Sequence, residues 1–214
     1  MSNTGKSYTG EHIDVTFDTA RCIHAAECVR GLPAVFDTAK RPWIRPDGAS
    51  ADAIIQIVER CPSGALQYTH HAGAAEHPDA ANTVTVRANG PLYVRGDVTL
   101  RTAEGELHLT DTRMALCRCG HSNNKPFCDN SHRDAEFSDV GAVKDKVVEG
   151  FAPGGPLTIT PNRNASLQVE GAVELIGAGG AGRAQAEKTW LCRCGGSANK
   201  PFCDGTHKRN GFQG

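Results

Sequence analysis

The nine cysteines of this sequence fall into three groups of three: Cys22, Cys28 and Cys61; Cys117, Cys119 and Cys128; Cys192, Cys194 and Cys203. An odd number of thiols cannot all pair internally as disulfides, and disulfides seldom persist in a reducing compartment. Thiolate is a ligand for zinc and for iron–sulfur centres, so metal ligation is the expected chemistry of all three groups. The second and third groups each end in a histidine, His132 and His207. Their spacing is Cys-x-Cys, eight residues, Cys, three residues, His. Structural zinc held by three cysteines and one histidine is the rival to iron–sulfur ligation. Its cysteines, however, usually stand two to four residues apart, and Cys-x-Cys is tighter.

These ligand sets sit in an internal repeat. CRCGHSNNKPFCDNSH at 117–132 recurs as CRCGGSANKPFCDGTH at 192–207, each ligand displaced by 75 residues. Gly-Pro-Leu stands upstream of both copies, at 90–92 and 155–157, followed by short alternating apolar pairs. These are Leu92/Val94, Val98/Leu100 and Leu107/Leu109 in the first copy, and Leu157/Ile159, Leu167/Val169 and Val173/Leu175 in the second. Period-two alternation predicts half-buried strands, so each motif is expected to be a loop hung on a small β unit.

Both segments resemble the CDGSH iron–sulfur (mitoNEET-type) family. Its signature is Cys-x-Cys, two residues, Ser or Thr, three residues, Pro, x, Cys-Asp-Gly, a small residue, then His. The second copy matches at Cys192, Cys194, Ser197, Pro201, Cys203, Asp204, Gly205, Thr206 and His207. The first matches at Cys117, Cys119, Ser122, Pro126, Cys128, Asp129, Ser131 and His132, with Asn130 in the place of Gly. Asn tolerates a left-handed backbone better than most residues, so the turn is expected to survive. The resemblance implies two 2Fe-2S clusters. In each, the Cys-x-Cys pair would hold one iron, and the third cysteine with the histidine would hold the other. Asp129 and Asp204 are good N-caps for a helix beginning beside the histidine. Family members with a single motif form homodimers with swapped strands. A tandem motif therefore implies that the pair is made within one chain, as a pseudo-twofold unit in a monomer.

The N-terminal region resembles a divergent single-cluster ferredoxin domain, through CIHAAECVRGLPAVFD, RPWIRPD and CPSGAL. Cys22 and Cys28 fit the outer positions of a Cys-x-x-Cys-x-x-Cys loop, and Cys61-Pro62 fits the distant fourth ligand. Ala25 stands at the middle position and cannot ligate. Three thiols around a vacant corner suit a 3Fe-4S cluster. The alternative is 4Fe-4S completed by His24 or by an exogenous ligand.

The elements that would position these ligands can be read from the same pattern. A strand is expected at Ile13–Phe17 and another around Trp43–Arg45. Ile54, Ile57 and Val58 recur at helical spacing with Ser50 as N-cap and Pro62 as the stop, and Cys61 continues their face. HHAGAAEHPDAAN at 70–82 has linker composition. The expected architecture is α+β. A ferredoxin-like domain at 1–70 is followed by a linker at 71–81 and two β-rich repeats at 82–150 and 151–214.

Other features suggest no further chemistry. His70, His71 and His77 fall in or beside the linker, and GAGGAG at 177–182 lacks the Lys-Ser/Thr and the βαβ setting of a phosphate loop. The formal net charge of −1 gives no electrostatic reason to bind nucleic acid or an anionic membrane. No apolar run approaches the roughly 20 residues of a membrane span, and MSNTGKSYTG lacks the apolar middle of a signal peptide. A soluble, cytoplasmic protein is expected. With every thiol allotted to a cluster, no catalytic arrangement remains. The expected role is electron transfer or redox sensing with an unidentified redox protein, the alternative being donation of a 2Fe-2S cluster to an apo-protein acceptor.

Overall fold

The computed structural model describes residues 5–73 and 75–214. The first four residues of the expected N-terminal domain and residue 74 of the expected linker lie outside the described residues. The chain is α+β, mostly β, and divides after His77 into two compact units.

The first unit is built on a three-stranded antiparallel sheet in the order β1 (Lys6–Tyr8), β2 (Ile13–Phe17), β3 (Leu66–His70). The alternation of β2 buries Ile13 and Val15 on one face. Against them packs helix α2 (Ala51–Val58), whose Ile54, Ile57 and Val58 are buried as its periodicity predicts. Ser50 caps the helix, its Oγ accepting from Ala53 N at 3.4 Å. The helix ends at Val58, before Pro62, and a turn in which Cys61 N donates to Val58 O (2.9 Å) carries the chain to the third thiol. A short helix α1 (Glu27–Gly31) holds Cys28. The strand expected around Trp43–Arg45 is not formed. Ile44 makes only an isolated bridge to Phe36, because Pro42 and Pro46 flank it and offer no N–H to extend a ladder.

The second unit is a six-stranded sheet of β4 (Thr83–Val86), β5 (Leu92–Arg101), β6 (Leu107–Leu116), β7 (Gly154–Pro161), β8 (Leu167–Ile176) and β9 (Arg183–Leu191), with a one-turn helix α3 (Ser131–Asp134). Strand β5 serves two partners: Leu92–Arg95 pairs antiparallel with β4, and Asp97–Leu100 pairs parallel with β7. Strand β8 does the same in reverse, pairing antiparallel with β7 and parallel with β4. The pairings β4–β5–β7–β8–β4 therefore close a circuit, with β6 beside β5 and β9 beside β8. Each long strand changes partner at a bulge containing a glycine, Gly96 (φ 135°) or Gly171 (φ 121°). A Cβ at Gly96 would stand 2.0 Å from Asn82 Oδ1, and one at Gly171 would stand 2.3 Å from Pro156 O, so neither site admits a side chain without movement. Val84, Leu92, Leu100, Leu157, Leu167 and Leu175 fill the core enclosed by the circuit.

The structure corrects the alignment of the strands. The Gly-Pro-Leu copies are 65 residues apart, whereas β5 at 92–101 corresponds to β8 at 167–176, the same displacement of 75 as the ligands. Leu157/Ile159 therefore belongs to the counterpart of β4. Leu92/Val94 and Val98/Leu100 are one strand interrupted by a bulge, as are Leu167/Val169 and Val173/Leu175. The glycine at each bulge breaks the alternation, so one long strand reads in sequence as two.

Candidate metal centres

In the first repeat, β6 delivers Cys117 directly from its last residue. The loop then folds back on the strand: Cys117 N donates to Pro126 O (2.8 Å) and Cys128 N to Ala115 O (2.9 Å), with an isolated bridge between Leu116 and Phe127. Ser122 Oγ locks the interior of the loop by donating to Phe127 O (2.7 Å) and accepting from Asn124 N (3.0 Å). Asp129 ties the two ends together, its carboxylate accepting from Asn123 N (2.8 Å) and from Ser131 N (3.0 Å). Asn130 takes the left-handed conformation (φ 74°), as Gly205 does in the second copy (φ 82°), so the departure from glycine leaves the turn intact. One short helical turn then presents His132.

The second repeat reproduces these contacts. Cys192 N donates to Pro201 O (2.8 Å) and Cys203 N to Trp190 O (2.9 Å); Ser197 Oγ donates to Phe202 O (2.7 Å); Asp204 accepts from Ala198 N (2.8 Å) and Thr206 N (3.0 Å).

The four ligands of each loop stand as two pairs. Sγ of Cys117 and Cys119 are 3.6 Å apart, and Cys128 Sγ is 3.5 Å from His132 Nδ1. In the second repeat the Cys192–Cys194 and Cys203–His207 distances are 3.8 and 3.5 Å. Ligands about 2.0–2.3 Å from one tetrahedral metal lie about 3.3–3.8 Å from each other, so each pair has the spacing of two ligands on one metal. Among the described residues no three Cys, His, Asp or Glu side chains converge as they would on a single ion. Two metals per loop fit this donor set, one held by two thiolates and the other by thiolate and imidazole. Backbone N–H groups point at the sulfurs: His121 N to Cys119, Asn130 N to Cys128 and Gly205 N to Cys203, each at 3.4 Å.

Burial and close neighbours shift the protonation of these side chains in different directions. The neighbouring sulfur of Cys119 holds the Cys117 thiol down to about 6, against the effect of burial, while Cys119 itself is pushed up by that same partner. Burial pushes Cys128 and Cys192 up to about 11. Burial, with the nearby Arg133, holds His132 below the ordinary histidine range and thus neutral, the form that can ligate. Burial raises the pKa of Asp129 but is outweighed by the hydrogen bonds from Ser131 and Asn123, which leave it ionised.

Two residues that sequence reasoning missed hold these loops to the turns before β5 and β8. Arg118, between the first two thiols, is 1% exposed. Its guanidinium donates to Gly90 O (2.7 Å), Arg87 O (2.6 Å) and Asp139 Oδ1 (2.5 Å), and lies over the Phe137 ring. Arg193 repeats the pattern with Ala165 O, Asn162 O and the Phe212 ring. The signal was present as Cys-Arg-Cys in both copies; an arginine is an unexpected residue to bury, and only the fold shows the carbonyls that satisfy it. The two loops also meet, through an antiparallel bridge between Cys119 and Cys194.

In the first unit, Cys22, Cys28 and Cys61 line one narrow recess of about 40 Å³, partly open to solvent, together with His24, Ala25 and Pro62. The loop after β2, α1 and the turn after α2 each contribute one thiol. His24 (φ 53°) and Ala26 (φ 66°) both adopt left-handed conformations, which wrap the loop between Cys22 and Cys28 around the recess. Burial raises the Cys22 pKa and pushes Cys28 up to about 11. Cys61 Sγ lies 3.6 Å from Ser63 Oγ. Three thiols facing one cavity fit a cluster with three cysteine ligands, and Ala25 offers no donor at the remaining corner.

Comparison with known proteins agrees with this division. Residues 8–71 match the family model described as a divergent 4Fe-4S mono-cluster domain. Residues 89–133 and 164–208 each match the model of the iron-binding zinc finger of CDGSH type. The chain is similar to the uncharacterized protein YjdI of Escherichia coli K12 and to its counterpart in Escherichia coli O157:H7. Each is 46% identical over 65 residues, which cover 30% of this chain and 86% of the relative. No solved structure matches.

Proposed function

Because the chain belongs to the divergent 4Fe-4S mono-cluster family and carries two CDGSH-type iron-binding domains behind that domain, we propose that it is a three-cluster electron-transfer protein. When bound, the clusters supply one-electron oxidation and reduction. The carrying observation is the paired geometry of the ligands, with separations of 3.5–3.8 Å within each pair. It supports 2Fe-2S clusters held by Cys117, Cys119, Cys128 and His132 and by Cys192, Cys194, Cys203 and His207. A neutral imidazole in place of one thiolate makes each site less negative, which raises its potential relative to an all-cysteine site.

In the N-terminal unit Cys22, Cys28 and Cys61 hold the third cluster. Three thiols complete a 3Fe-4S cluster without further help. A 4Fe-4S cluster is the second reading, favoured by His24 on the wall of the recess and by the description of the matching domain.

We read residues 78–214 as an internal pseudo-dimer. Its support is the register: Val84 pairs with Leu175 and Ile159 with Leu100, the same positions of the two repeats exchanged.

Cluster donation to an apo-protein is the competing role, favoured by the partial exposure of both histidines, the ligands most easily protonated and released. Incubating reduced holo-protein with an oxidised holo-ferredoxin and, separately, with an apo-ferredoxin separates the two. Electron transfer predicts reduction of the first and no cluster appearing in the second. Cluster in the apo-acceptor, with no reduction of the holo-acceptor, would favour the carrier.

A further inference from the structure

Beside the cluster recess lies a second, larger cavity of about 440 Å³. The two share the Cys22–Cys28 loop, Phe17 and Trp43, but Cys61 and Pro62 line only the recess, whereas Lys6, Tyr8, Thr38, Arg41 and Pro42 line only the larger cavity. The volume falls within the range of small-molecule sites. Trp43 forms one wall, with the Phe17 ring edge-on at 4.8 Å and 78° and the Tyr8 ring edge-on at 6.4 Å and 80°. These rings fix one another and leave the half-exposed indole of Trp43 turned toward the space they enclose.

Outside the shared Cys22–Cys28 loop, the charged residues of the lining are Lys6 and Arg41, and the lining holds no aspartate or glutamate. Arg41 uses Nη1 for Thr38 O (2.9 Å) and Lys40 O (2.7 Å), which holds the guanidinium at the rim with no carboxylate partner among the described residues. Lys6 Nζ lies 5.2 Å from the centre of the Tyr8 ring. Flat aromatic walls select a flat aromatic ligand, and two rim cations select a negative group attached to it.

We propose that this cavity is a binding site for a planar aromatic anion. The proposal rests on the lining of the cavity and goes beyond the assignment of the clusters. Its consequence is positional: a ligand seated there lies against the loop that carries Cys22 and Cys28.

Isothermal titration of the full-length holo-protein with naphthalene-2-sulfonate, 2-naphthylmethanol and hexane-1-sulfonate tests it. Naphthalene-2-sulfonate is expected to bind about tenfold more tightly than the neutral alcohol, as two exposed charge contacts allow, and the aliphatic sulfonate not measurably. The exposed double substitution Lys6→Gln/Arg41→Gln should abolish the preference for the sulfonate and leave the alcohol within about twofold. Trp43→Leu should weaken both naphthalenes. Equal affinity for the two naphthalenes, sulfonate binding unchanged in the double variant, or no binding of either would each overturn the proposal. Visible absorbance of the same samples reports the clusters separately. Ligand failure with full colour therefore contradicts this site alone, and loss of colour contradicts the cluster reading instead.

Discussion

Cys119 and Cys194 face each other across an antiparallel bridge, so the two Cys-x-Cys loops are joined backbone to backbone. The glycines that follow make this approach possible. A Cβ on Gly120 (φ 89°) would stand 2.8 Å from Cys194 O, and one on Gly195 (φ 74°) would stand 2.4 Å from Cys119 O. Each loop therefore depends on the other for its shape, and ligands more than 70 residues apart in sequence share one structural support.

Gly195→Ala should accordingly disturb both repeats. The expected cost is about 1–3 kcal/mol, from a left-handed backbone and a backbone clash that cannot relax cheaply. Thermal unfolding of the substituted protein should begin lower, and visible absorbance should fall by more than the share of one 2Fe-2S cluster. Loss confined to the second repeat would mean that the bridge does not couple them.

Residues 78–214 should fold alone. The circuit of β4, β5, β7 and β8 closes within this unit and encloses its own core, so no second copy is needed to complete the sheet. Sedimentation of this fragment should give a monomer carrying two 2Fe-2S clusters. An obligate dimer would contradict the internal pairing of the repeats.

At the N-terminal site, Ala25→Cys supplies a donor at the corner that the three thiols leave vacant. It should convert a 3Fe-4S centre into a 4Fe-4S centre, read by electron paramagnetic resonance. If the unsubstituted protein already gives a reduced 4Fe-4S signal and His24→Ala removes it, His24 is the fourth ligand.

The three cysteine groups and the two histidines that the fold brings beside them were legible in sequence because metal coordination calls for fixed residue types and spacing, and the helix leading to Cys61 was legible because Ile54, Ile57 and Val58 face one way. What escaped was long-range. Nothing in the local pattern of Leu92–Leu100 says that one strand changes partner at Gly96, or that the Gly-Pro-Leu copies fall out of register with the ligands. The strand expected at Trp43–Arg45 does not form because Pro42 and Pro46 on either side deny its apolar residues a ladder. Arg118 and Arg193 were passed over because their partners are backbone carbonyls about 30 residues away, which no spacing rule reports.

Acid should act first at the imidazole corners. A free histidine titrates near about 6.5, and iron binds only the neutral ring, so protons compete directly with the metal. The folded protein holds the His132 pKa down, so the neutral ring is fully favoured above the ordinary value and is lost only as pH falls through the lowered one. The 2Fe-2S absorbance should therefore decay below about pH 6. His132→Cys and His207→Cys should each slow the decay at the altered centre. Equal decay rates near pH 5.5 in the unsubstituted protein, both single variants and the double variant would remove both histidines from the ligand sets.

The raised thiols set the opposite limb. With Cys28, Cys128 and Cys192 at about 11, each is protonated at neutral pH in the metal-free protein and must release its proton on ligation. Reloading of the metal-free protein should tighten as pH rises from 7 to 9, measured as Cd(II) affinity together with proton release in weak buffer. A flat profile without proton release would mean that the thiols are already ionised.

The central claim is that the three cysteine groups are three iron–sulfur sites, and elemental analysis of protein purified anaerobically tests it most directly. Two 2Fe-2S clusters and one 3Fe-4S cluster predict about seven iron and eight sulfide per chain, with eight iron if the third is 4Fe-4S, and no stoichiometric zinc. Absorption and electron paramagnetic resonance spectra of the same sample should show both cluster types. A colourless protein with about one zinc per cysteine group and no sulfide would contradict the account at every site.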